Sequence, residues 1–109
     1  MVFSEELAER IRQGLARGTG IEEKKMFGGF GFLLNGNLLV GVWKDSLIVR
    51  LGPEEGEQAH KEAHVSEFNN TGRSMKGWVL VAPEGVENDD QLSGWVQRAV
   101  KFVGKLPAK

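Results

Sequence analysis

Leu7, Ile11 and Leu15 recur every fourth residue with Ala8 beside them, while Arg12, Gln13 and Arg17 fall off that line. This spacing predicts an amphipathic helix. Ser4 is placed to cap it, and Glu5 and Glu6 occupy the first turn, where the helix dipole favours acids. Gly18-Thr19-Gly20 reads as its end. From Lys24 to Leu51 the period changes to two: Met26, Gly28, Phe30, Phe32 and Leu34 share one parity, and Leu47, Val49 and Leu51 alternate with Ile48 and Arg50. Between them, Asn37 to Trp43 is apolar on both faces. Asn35-Gly36 is a two-residue hairpin signal and Lys44-Asp45 makes the next turn, so the stretch predicts a three-stranded antiparallel meander.

Gly52-Pro53 breaks the sheet. Pro53, Glu54 and Glu55 suit a helix start, and a short polar helix is expected to about Ala63. An extended piece follows from Val65 to Phe68, then a turn over Asn69-Asn70-Thr71-Gly72 and a strand from Ser74 to Val81. The last helix has the clearest pattern: Leu92, Trp95, Val96, Ala99, Phe102, Val103 and Leu106 keep helical spacing behind a cap at Asn88 or Asp89, with Pro107 past the end. Helix, three strands, helix, two strands, helix reads as an α+β fold, an antiparallel sheet packed by helices. With 109 residues and no repeat or linker, one domain over residues 1–109 is expected.

The absence of cysteine removes disulfides, thiolate catalysis and cysteine-based metal sites from consideration. A formal net charge of -1 gives no overall basic footprint for nucleic acid. The acidic start Met-Val-Phe-Ser-Glu-Glu and the lack of an apolar run near the ~20 residues of a membrane span point to a cytoplasmic protein.

The candidate chemistry is sparse. Gly29-Phe30-Gly31-Phe32-Leu33 matches the middle of an RNA-binding strand signature, but Gly28 and Asn35 replace its basic and aromatic ends. Phe30 and Phe32 share parity with Met26 and Leu34, so core packing is favoured over base stacking. The glycines are expected to let a helix or another chain approach the sheet. His60 and His64 have helical i, i+4 spacing, yet Lys61 stands where a zinc protease needs glutamate and no third ligand is evident. Neither catalytic nor metal residues are assigned, and no cofactor is expected. Lys24, Lys25, Arg50, Arg73 and Lys76 are candidates for a basic rim, with Arg73 after the turn glycine Gly72 and Arg50 suited to an anion. Trp78, on the opposite parity from Val79 and Val81, is a candidate contact aromatic. The ligand- or partner-binding candidates are therefore Lys25, Arg50, Gly72, Arg73, Lys76 and Trp78.

Lys24-Lys25-Met26-Phe27-Gly28-Gly29-Phe30-Gly31-Phe32, Asn35-Gly36-Asn37, Val49-Arg50-Leu51-Gly52-Pro53 and Thr71-Gly72-Arg73-Ser74-Met75-Lys76-Gly77 together resemble the N-terminal domain of the TfoX/Sxy family. The paired Met-Phe-Gly-Gly and Gly-Arg-x-Met-x-Gly segments are the specific part, and the resemblance covers nearly the whole chain. It implies an α-β-β-β-α-β-β-α fold like that of secretion chaperones, and a bacterial protein. Full-length members regulate natural competence with a catabolite-type transcription activator and carry a second, helical domain. The expectation is a non-enzymatic regulatory or protein-interaction module, with a protein partner or self as its target and a homodimer through the sheet as one arrangement. Nucleic-acid binding through Phe30, Phe32, Trp78 and the basic rim is the alternative, and an enzyme acting on an anionic substrate is a third.

Overall fold

A computed structural model of the chain describes residues 4–15, 20–26, 29–70 and 73–107, with the side chains of 26, 69, 70 and 73–76 outside the description. The element order is α1 (Glu5–Gly14), β1 (Ile21–Met26), β2 (Gly29–Leu34), β3 (Asn37–Trp43), β4 (Ser46–Arg50), α2 (Pro53–Ala59), β5 (Val65–Asn70), β6 (Arg73–Val81), a 3-10 turn (Pro83–Gly85) and α3 (Asp89–Val103). The strands form one six-stranded antiparallel sheet in the order β1-β2-β3-β4-β6-β5. The fold class is the α+β arrangement that the periodicity predicts, with one strand more before α2. The run expected as a single strand from Lys24 to Leu34 is two strands, β1 and β2, paired with each other. The predicted end of α1 at residues 18–20 falls largely outside the described residues; the helix itself closes at Gly14 with Leu15 as its cap. Likewise α2 stops at Ala59 rather than Ala63, because His60 already serves as its C-cap.

Local chemistry explains the boundaries. The Ser4 side chain accepts a hydrogen bond from the Leu7 amide, so α1 starts where its cap lies. Asn88 and Gln91 form a reciprocal capping box at the start of α3. Asn35 and Gly36 both have positive φ, 52° and 85°, as a twisted two-residue hairpin requires. Three arginines tie helices to the rest. Arg12 of α1 grips Glu23 of β1 with two hydrogen bonds of 2.7 Å and also pairs with Glu9. Arg10 bonds the Val86 carbonyl at 2.9 Å and Asp89 at 3.2 Å. Arg98 of α3 reaches Glu62 at 2.9 and 3.1 Å and Glu55 of α2 at 3.6 Å.

Register defines the two sheet faces. The rows Lys25–Phe30–Val42–Leu47–Val81–Val65 and Glu23–Phe32–Val40–Val49–Val79–Glu67 lie on one face. Their apolar members form the core with Leu7, Ala8 and Ile11 of α1 and Leu92, Trp95, Val96, Ala99 and Val103 of α3. Phe32 is fully buried there and Phe30 meets it edge-on at 5.4 Å, which is core packing as the parity predicts. Between them in register, the row Lys24–Gly31–Gly41–Ile48–Leu80–Ser66 lies on the other face, and Ile48 and Leu80 stand outside that core. The expected role of Gly29 changes: a Cβ there would strike the Val42 carbonyl, so the close neighbour is strand β3 and not a helix.

Candidate binding site around Arg50

Pairing between β4 and β6 ends at Arg50 opposite Trp78. One residue earlier on β6, Gly77 has φ 85°, and its carbonyl accepts the amides of Leu51 at 2.8 Å and Gly52 at 3.1 Å. On its other edge β6 loses register with β5 between Glu67 and Asn69, so Phe68 alone stands against residues 75–78. The chain there is bent by one glycine in the left-handed region. The bend seats α2: a Cβ on Gly56 would lie 2.9 Å from the Gly77 Cα, and one on Gly77 would lie 2.9 Å from the Gly52 carbonyl carbon. Gly52, with φ 88°, also receives the Phe102 ring of α3, whose carbons would be 2.5 Å from a Cβ at that position. Bare backbone at these three glycines thus brings β4, β6, α2 and α3 to one place.

Arg50 lies in that place. Its guanidinium carbon is 5.1 Å from the centre of the Trp78 ring and 5.9 Å from that of Phe102, and Nη1 donates to the Leu38 carbonyl at 3.5 Å. Phe68 adds a third ring, 6.4 Å from Trp78. Burial lowers the pKa of Arg50 from the usual arginine value, without taking it out of the charged form. Rings near a cation stabilise it by about 0.5–2 kcal/mol, which offsets part of that desolvation. No carboxylate among the described residues lies at ion-pair distance from Arg50, whereas Arg10, Arg12 and Arg98 each hold at least one.

Beside it, a cleft of about 540 Å³ opens between α2 and α3. Leu51, Gly52, Pro53 and Phe102 line it with Glu54 and Glu55 of α2 and with Arg98, Lys101 and Lys105. Glu55 is engaged by Arg98. Lys101 and Lys105 are exposed and pair with no carboxylate among the described residues.

The sequence-derived candidates divide. Arg50 and Trp78 are brought together as cross-strand partners. Lys25 is not near them: it is on the edge strand β1, with β2 and β3 between it and β4, and it shares a face with Phe30 rather than with Lys24. A single basic rim joining Lys24 and Lys25 to Arg50 therefore does not form. Gly72 lies outside the described residues, as do the side chains of Arg73 and Lys76 on β6. Phe102 was read as part of the core stripe of the last helix; its ring against Gly52 brings it within 5.9 Å of the Arg50 guanidinium, and Lys101 and Lys105 share the cleft lining with it. His60 and His64 do not share a helix face, because His64 follows the end of α2 with φ 67°. Among the described residues no group of three or more His, Cys, Asp or Glu gathers in a way that could hold a metal ion. No helix among them is long and apolar enough to cross a membrane.

A six-stranded antiparallel sheet with its helical core on one face defines a small α+β domain, and an aromatic-flanked arginine lies beside a cleft at its rim. The family model of the TfoX N-terminal domain matches residues 13–103, and the chain belongs to that family. Membership points to a regulatory module related to competence. No curated protein and no solved structure gives a match.

Proposed function

We propose that the domain is a non-enzymatic regulatory module that acts by binding another protein, with the surface around Arg50, Trp78 and Phe102 as its contact. One observation supports this above others: Arg50 is a half-buried cation, set between the Trp78 and Phe102 rings, with no carboxylate partner among the described residues. Partial desolvation of a charge is costly unless something compensates it, and an anion supplied by a partner completes the set. The resemblance to competence regulators makes a transcription activator the class of partner to test first. Base stacking by Phe30 and Phe32 is disfavoured, since Phe32 is fully buried and Phe30 packs against the core.

The test is a photo-crosslinking amino acid placed at Lys105 in cells that express the full chain. The expected result is a discrete protein adduct, lost when Arg50→Ala is introduced and absent when the crosslinker is moved to Glu9 on α1. An adduct of twice the chain mass identifies a second copy as the partner. Absence of any protein adduct at position 105, or an adduct that disappears with nuclease, overturns the reading.

A further inference from the structure

We infer that the partner presents an acidic segment carrying an apolar side chain, which the cleft between α2 and α3 takes up beside Arg50. The inference rests on the protein-binding reading above and adds the chemistry of what is bound. Three cations without a carboxylate partner among the described residues, Arg50, Lys101 and Lys105, border or approach the cleft, while Glu54 is the lining acid outside any ion pair there. This local excess of positive charge stands against a chain whose formal net charge is -1. Complementary charge of this kind steers encounter and selects acidic partners.

Charge does not account for the cleft's size. About 540 Å³ is several times what a lone carboxylate fills, and Leu51, Pro53 and Phe102 supply apolar lining. An apolar side chain flanked by aspartate or glutamate satisfies both: the apolar group covers Phe102 and Pro53, and the carboxylates reach Lys101, Lys105 and, along the Phe102 ring, Arg50. A nucleic-acid strand fits less well. Its phosphates recur at every nucleotide and need a continuous basic track. Here Glu54 and Glu55 line the same cleft, and Lys24 and Lys25 lie across the sheet on β1.

The experiment is selection of a displayed random-peptide library on the full chain, followed by anisotropy titration of the enriched peptide, synthesised with a fluorophore. The expected peptides carry two or more Asp or Glu residues and at least one Leu, Ile or Phe. Binding of the synthesised peptide weakens about tenfold or more in Lys101→Glu/Lys105→Glu and in Arg50→Gln, each with an unchanged melting temperature, since each removes a facing charge. It is unchanged in Lys25→Glu. Enriched peptides without acidic bias, or acidic peptides bound equally well by the double charge reversal, overturn the inference. Displacement of the peptide by a single-stranded oligonucleotide at similar concentration also overturns it. If the crosslink at Lys105 still yields a protein while the peptide results fail, the acidic-segment assignment is wrong and the protein-binding reading stands. If the crosslink fails too, both fall.

Discussion

Gly56 of α2 and Gly77 of β6 touch backbone to backbone, with room for no side chain on either: a Cβ on Gly56 would sit 2.9 Å from the Gly77 Cα. Gly56→Ala sets two effects against each other. Alanine favours a helix over glycine by up to about 1 kcal/mol. Forcing a methyl against fixed backbone costs typically about 1–3 kcal/mol, and Gly77 is held by its own hydrogen bonds to Leu51 and Gly52. The clash should win, giving a net loss of about 1–2 kcal/mol in urea unfolding. An equal or higher urea midpoint would show that α2 is not clamped on β6.

Gly94 is the opposite case. It lies in the interior of α3, is exposed, and a Cβ there meets nothing within 4 Å. Gly94→Ala is expected to stabilise the domain by about 0.5–1 kcal/mol, the helix-propensity difference with no packing term. A drop in melting temperature would place an unrecognised contact at this position.

Phe32→Ala should cost about 3–5 kcal/mol, the range for emptying a fully buried aromatic site. A domain of ordinary stability holds only about 5–15 kcal/mol in all, so this variant is expected to be largely destabilised and to report on folding, not on a binding surface. Circular dichroism melts of the variant decide the point. Near-wild-type stability would mean that the Phe30–Phe32 face is not core.

Acid should loosen the link between α1 and β1. Hydrogen bonding to Arg12 lowers the Glu23 pKa below the usual carboxylate value. A carboxylate with a depressed folded-state pKa contributes stability above its unfolded pKa, about 4.3, and loses it as pH falls through the folded value. Both side chains are about a third or more exposed, 42% and 34%, so solvent screening keeps the contribution small. Urea midpoints measured from pH 7 down to pH 3 should therefore fall less steeply in Glu23→Gln than in the parent. Parallel curves would show that the pair adds nothing.

Local signals carried most of the fold. The Ser4 and Asn88 caps, the Asn35-Gly36 turn and the spacing from Leu92 to Val103 each operate within a few residues, and each appears where the pattern puts it. The division of residues 24–34 was less legible, because β1 carries four consecutive charged residues, Glu22 to Lys25, and so lacks the apolar alternation that marks a strand. Gly28-Gly29 was the available signal. At the site, Arg50 and Trp78 were legible singly by residue type and parity. Their meeting with Phe102 was not, since it depends on Gly52, Gly56 and Gly77 closing contacts between segments distant in sequence. Lys25 illustrates the converse: residue type suggested a shared rim, and strand order put it elsewhere.

The glycine contacts divide the labour of the site in a way that bears on how such a domain can change over time. The frame is set where there are no side chains at all, at Gly52, Gly56 and Gly77, so almost any substitution there meets backbone or ring. Lys101 and Lys105 stand on exposed positions of the cleft lining and Arg50 at its approach, and none belongs to the core. On the proposed contact, preference for one target over another drifts by exchanging the exposed charges at Lys101 and Lys105, without renegotiating the fold that presents them.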